Sequence, residues 1–276
     1  MFFISVAYDL MFLRWVFFIK LYKLLTMNNY TIDLNKNRIE FLDSRFYATP
    51  SGGYVPSVTT ILECFPKGAE FYKWLKEMGG DADTIRDEAG RRGSNVHALT
   101  ERYDEGEEVS YLDHNGFPAY KNLEWSMFER YVDFCTTHKP QIEMMEAHFI
   151  SEKLGFAGTL DRVITLNGKR ILLDIKTSNS VQDSYWLQLS AYYELLSEIA
   201  TDVKSIDEVG ILWLNAKTRT TGKGGAIQGI GWQLITKPIS EVLSYWTLFQ
   251  ATHQLWLYMN ETTKPRQLSY TLKHKK

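Results

Sequence analysis

Four residues stand out for the chemistry that their types and spacing allow: Glu146, Asp161, Asp174 and Lys176. The stretch Ile171-Leu172-Leu173-Asp174-Ile175-Lys176 reads as a strand. Side chains alternate across a strand, so Asp174 and Lys176 leave one face together while Leu173 and Ile175 leave the other. Alone, an Asp-x-Lys is a common solvated ion pair worth little. The preceding residues change its meaning, because Asn167-Gly168 between two apolar runs is a strong hairpin signal. The run Gly158-Thr159-Leu160-Asp161-Arg162-Val163 then lies antiparallel to the first and brings Asp161 close to Asp174. Neighbouring carboxylates repel unless a cation neutralises them. A carboxylate pair completed by water and substrate phosphate is how Mg²⁺ is commonly held. Gly155 and Gly158 either admit a phosphate backbone or shape a turn or bulge.

The elements that must position these residues are legible in outline. Residues 30–55 read as a short β region closed by Ser51-Gly52-Gly53. Ser57 is placed as the N-cap of a helix over 58–64, ended by Pro66. Helical spacing continues over 68–78, 83–104 and 117–137, with Gly79-Gly80, Gly106 and Pro140 as punctuation. From 142 the pattern turns to strands, over 142–150, 156–166 and 170–177. A helix over 184–199, strands over 209–215 and 229–234, and a final helix over 239–259 complete the chain. Strands gathered in the middle with helices before and after predict an α/β (α+β) core with a helical N-terminal elaboration.

Composition sets bounds. At 276 residues with 45% hydrophobic and 23% charged side chains, the chain has the make-up of an ordinary globular protein. Cys64 and Cys135 read as buried thiols, and two cysteines cannot supply a four-cysteine iron–sulfur cluster. The net charge is −2, yet from Thr201 onward ten Lys or Arg face five Asp or Glu. That basic C-terminal part would suit a phosphate backbone, and its Lys-rich end also reads as ordinary solubilising surface. No helicase-type phosphate loop is visible.

The apolar segment 1–26 stands apart. Asp9, Arg14, Lys20 and Lys23 interrupt it before any run reaches the roughly 18 to 20 residues that span a bilayer, so stable membrane insertion is not expected. It reads either as an interfacial amphipathic helix or as sequence upstream of a start at Met27. The expected division is an apolar extension over 1–26, strands and helices that guide the substrate over 27–141, and the chemical core with its last helix over 142–276.

Taken in order, Glu146, Gly155-Phe156-Ala157-Gly158-Thr159-Leu160-Asp161, Leu173-Asp174-Ile175-Lys176-Thr177 and Gln188-Leu189-Ser190-Ala191-Tyr192 resemble the active-site series of the PD-(D/E)xK nucleases. The nearest branch contains the nuclease domain of the RecBCD helicase-nuclease, the mitochondrial genome maintenance exonucleases and many phage exonucleases. Its upstream histidine is matched by Arg92-Gly93-Ser94-Asn95-Val96-His97, and its Pro-Ser-Val-Thr-Thr opening by 56–60. The resemblance implies a restriction-endonuclease-like core and one or two Mg²⁺ or Mn²⁺ ions held by Asp161, Asp174, Glu146, His97 and the main-chain carbonyl of Ile175. It also implies that Lys176 orients or deprotonates the attacking water, with Gln188 and Tyr192 fixing the lysine or the phosphate. Glu143 competes as the first acid, and Glu146 suits the family spacing better. Gln188 and Tyr192, four apart, share a helix face, and a buried glutamine needs a polar partner.

The substrate implied is DNA, single-stranded or with free ends, cut exonucleolytically. The setting implied is the cytoplasm of a bacterial or phage-infected cell, in recombination, repair or phage DNA metabolism, with a helicase or recombinase as partner. Phe71, Tyr72 and Trp74 would either stack on bases or belong to the core. An endonuclease and a non-catalytic DNA-binding subunit are the competing readings.

Overall fold

The computed structural model describes residues 38–41, 44–199, 205–216, 218–219, 227–228 and 231–260. The segment 1–26, the alternation at 30–34 and the basic end at 264–276 lie outside the described residues. The described residues begin with three short strands, β1 (Arg38–Phe41), β2 (Ser44–Ala48) and β3 (Tyr54–Pro56), paired antiparallel in that order. Helices α1 (Val58–Leu62), α2 (Ala69–Met78), α3 (Ala82–Asp104) and α4 (Asn122–His138) follow. Then come β4 (Gln141–Ser151), β5 (Phe156–Leu166), β6 (Lys169–Lys176), α5 (Asp183–Ile199) and β7 (Glu208–Trp213). The short pair β8 (Thr218–Arg219) and β9 (Ile227–Gln228), strand β10 (Gln233–Pro238) and helix α6 (Ile239–Met259) end the described chain. No helix among the described residues is long and apolar enough to cross a membrane.

The central sheet has the order β10-β7-β6-β5-β4 and is mixed, with only β6 and β7 parallel. The expected hairpin is present. Asn167 and Gly168 both take positive φ (50° and 77°), the backbone that a two-residue turn between twisted strands requires, and Leu166 faces Lys169. Strands β5 and β6 are apolar on both faces because both faces are covered. On one, Val163, Leu172, Val209 and Ile211 pack with Leu187 and Leu195 of α5 and Phe249 of α6. On the other, Ile164, Ile171, Leu173 and Ile175 pack with Val96 of α3 and Met127, Tyr131 and Phe134 of α4. A bulge at Glu143 shifts β4 by one residue, so Ile142 joins the second cluster and Met144 the first.

The N-terminal sheet is tied to the core by a bridge between Ser57 and Ala157 and by Phe46 against Trp256 of α6, ring centres 6.2 Å apart. Ser57 caps α1 as expected, its Oγ accepting from the Thr60 amide at 3.0 Å, a bond worth about 1 kcal/mol.

Two boundaries differ from the sequence expectation. Helix α4 begins at Asn122, five residues late, because Asp113 accepts from the Asn115 and Phe117 amides and Leu112 bridges Pro118, which keeps 117–121 out of the helix. The last sheet strand is Gln233–Pro238 and not 229–234, because its place is set by pairing with all of β7, from Gln233 opposite Trp213 to Pro238 opposite Glu208. Pro238 is tolerated at the end of an edge strand, where no ladder donor is needed.

Candidate active site

The site lies where β5 and β6 part. Their regular pairing ends at Arg162 opposite Leu173, and the Asp161 carboxylate then takes over, its Oδ2 accepting from the Ile175 amide at 2.7 Å. Asp161 is thereby fixed with its Oδ1 3.6 Å from Nδ1 of His97. His97, on α3, is held from the other side by a 3.0 Å contact between its Nε2 and the Ile175 carbonyl oxygen. Glu146 of β4 closes the group, with Oε1 3.8 Å from His97 Nδ1.

Donor atoms of His97, Glu146 and Asp161 lie within 4.8 Å of one another. One nitrogen and two carboxylate oxygens converging in this way fit a divalent cation, which accepts carboxylate and imidazole ligands. Burial opposes charge on His97, but the Asp161 and Glu146 carboxylates outweigh it and raise its pKa to about 9. Glu146 is disfavoured as an anion by burial, yet His97 and Arg162 together hold its carboxyl below the usual range. Its backbone is left-handed, with φ of 43°, a region that a residue with a Cβ enters at some cost.

Asp174 and Lys176 sit beside this group and face α5. Lys176 Nζ is 2.6 Å from Asp174 Oδ2 and donates to Gln188 Oε1 at 3.0 Å. Gln188 in turn donates to Asp174 Oδ1 at 3.2 Å and to the Tyr192 hydroxyl at 3.0 Å. The ammonium also lies 4.6 Å from the centre of the Tyr185 ring. Asp174 is almost fully buried, which pushes its carboxyl up to about 6, with Lys176 pulling it down and Asp161 adding to the rise. Burial disfavours the Lys176 ammonium, but Asp174 and Asp161 more than compensate and raise its pKa. The buried Gln188 thus finds its polar partners in Lys176, Asp174 and Tyr192.

The residues singled out in the sequence thus fall into two touching groups. His97, Glu146 and Asp161 converge, and the Asp174 carboxylate, expected near Asp161, lies close enough for Asp161 to act on it while being engaged by Lys176 and Gln188. The Ile175 carbonyl faces His97. Glu143 is elsewhere, bonded to Arg170 and Thr165. Gly158 makes room for a side chain, since a Cβ there would stand 2.4 Å from Cε1 of Tyr192. Gly155 supplies a turn at φ 77°. Helix α2 has no buried residue, so Phe71 and Tyr72 are exposed surface and not core.

Sequence reasoning missed the groups behind Glu146. Arg162 is fully buried and reaches Asp104 and Thr100 of α3. The signal was there: an arginine inside an apolar strand needs an acid, and His97, Thr100 and Asp104 recur at helical spacing.

No curated protein matches the chain. Among solved structures, an alkaline exonuclease, LHK-Exo, from Laribacter hongkongensis is similar at 10% identity and a TM-score of 0.33, over 74% of this chain and 89% of that one. The same enzyme in complex with dAMP gives 11% identity and a TM-score of 0.31, over the same shares. The family model of the PD-(D/E)XK nuclease superfamily matches residues 63–265, which take in every element from α2 to α6 and each of the site residues above. The chain belongs to the PD-(D/E)XK nuclease superfamily.

Proposed function

We propose that this nuclease cuts DNA by divalent-cation-assisted hydrolysis and acts as an exonuclease on single strands or free ends. The observation that carries the reading is the convergence of His97, Glu146 and Asp161 next to the Lys176–Asp174 pair. A Mg²⁺ or Mn²⁺ ion, held by these three with Asp174 and the Ile175 carbonyl, would polarise the scissile phosphate and acidify a water. Lys176 is the group left to act on the substrate itself. Its raised pKa keeps it charged, so it orients the attacking water and stabilises charge growing on the phosphoryl oxygens. Gln188 and Asp174 hold that ammonium in one place, and Tyr192 holds Gln188.

The exonuclease preference is supported by α2, whose Phe71 and Tyr72 rings, 5.7 Å apart and exposed, offer a surface for stacking on unpaired bases. Under this reading 27–141 guides the strand and contributes His97, and 142–276 carries the rest of the chemistry, in recombination, repair or phage DNA metabolism with a helicase or recombinase as partner.

The deciding experiment digests end-labelled linear and closed circular single-stranded DNA with Mg²⁺, with chelator, and with Lys176→Ala. Loss of the linear strand alone, abolished by chelator and by the substitution, is the expected result. Cutting of the circle would establish an endonuclease, and binding without cleavage a non-catalytic subunit.

A further inference from the structure

A set of buried charges behind Glu146 has no part in the chemistry above. The Arg162 side chain is fully buried, and Asp104 is only 3% exposed. Arg162 Nε donates to Asp104 Oδ2 at 2.7 Å, and Nη2 to Thr100 Oγ1 at 3.3 Å. Its Nη1 donates both to the Asp161 backbone oxygen at 2.7 Å and to Glu146 Oε1 at 3.1 Å. Asp104 is fixed from behind by the Tyr131 hydroxyl at 2.6 Å. The Glu146 oxygen that Arg162 holds is the one that faces His97.

A guanidinium removed from water needs a counter-charge, and Asp104 alone would provide it. Because Asp104 balances Arg162, Glu146 keeps its own negative charge for a cation while still being gripped by the guanidinium fork. The grip matters because the Glu146 backbone is left-handed at φ 43°, a conformation that persists only when the surroundings impose it. The planar guanidinium reaches Asp104 through Nε and Glu146 through Nη1 at once, a span that the single nitrogen of a lysine ammonium at the same position does not cover.

We propose that Arg162, braced by Asp104, is a positioning residue that aims the Glu146 carboxylate at the cation site and so sets the affinity for a divalent ion, an inference that rests on the metal-site reading above. Groups that orient a metal ligand in this way typically change affinity by about 10- to 100-fold when altered. Arg162→Lys releases Glu146 from the fork. Asp104→Asn leaves the guanidinium charge unbalanced against Glu146. Both changes weaken cation binding.

The test is calorimetric titration of the full-length protein with Mn²⁺ in the absence of DNA, with melting recorded for each variant. Arg162→Lys and Asp104→Asn are expected to raise the Mn²⁺ dissociation constant about tenfold or more, and to have no further effect once Glu146→Ala is present. An unchanged constant, or an equal loss with and without Glu146→Ala, overturns the proposal. Should Arg162→Lys fail to fold, the near-isosteric Asp104→Asn carries the same cycle. Wild-type protein that binds no Mn²⁺ would instead overturn the metal site itself, which separates the two failures.

Discussion

Asp161 completes the β-sheet with its side chain: its Oδ2 accepts the Ile175 amide at 2.7 Å where the backbone pairing of β5 and β6 has stopped. One carboxylate therefore has two duties, capping a ladder through Oδ2 and facing His97 through Oδ1.

The two duties can be separated by substitution. Asp161→Asn keeps an acceptor for the Ile175 amide and is expected to fold normally with nuclease activity lost. Asp161→Ala also strands a buried amide, which costs about 1–3 kcal/mol. Melting curves of the two variants beside their activities check this; equal melting temperatures would contradict it.

Lys176→Ala should lower the rate by about 10²–10³-fold, the usual cost of removing one donor from a developing oxyanion. It also leaves Asp174, 1% exposed, with Gln188 as its remaining hydrogen-bond donor among the described residues, so the Asp174 carboxyl should rise further above about 6. Single-turnover cleavage with saturating Mg²⁺ reads the first effect, and NMR titration of the carboxyl the second.

Gly158→Ala places a Cβ 2.4 Å from Tyr192 Cε1, so the ring must move. Overpacking of this kind costs about 1–3 kcal/mol. Because Tyr192 is bonded to Gln188, and Gln188 to Lys176, activity should fall along with stability. Combining Gly158→Ala with Tyr192→Ala should recover part of the stability, and strict additivity in denaturant melts would exclude the clash.

The metal-free protein should lose stability as pH rises. His97 is raised from 6.5 to about 9, so its contribution is complete below pH 6.5 and is lost as pH passes through about 9. Asp174, raised from 3.8 to about 6, contributes below pH 3.8 and loses that contribution as pH passes through about 6. Cation affinity should move the other way between pH 6.5 and 9, because a metal must displace the His97 proton. Melting in chelator and Mn²⁺ titration over this window measure both trends, with His97→Gln as the variant in which the upper stability change disappears.

How much of this was written in the chain differs between the core and the site. Asn167-Gly168 dictated the β5–β6 hairpin, and alternation placed Asp174 and Lys176 on a common face, because both follow from local backbone geometry. The four-residue spacing of Gln188 and Tyr192 likewise foretold their contact. Local pattern could not show that the hairpin opens at Asp161, since that depends on a side chain replacing a backbone partner across the gap. The choice of Glu146 over Glu143 came from the spacing of the resembled family and not from local pattern; in the structure the bulge in β4, the left-handed residue and the Arg162 fork place Glu146 beside His97. Periodicity also missed the start of α4 and the place of β10, which are set by the Asp113 turn and by pairing with β7. Residue types and short-range spacing determined the strands, helices and chemical inventory. Tertiary structure decided which carboxylates meet, because the converging donors come from α3, β4 and β5 and only long-range packing sets the distances between them.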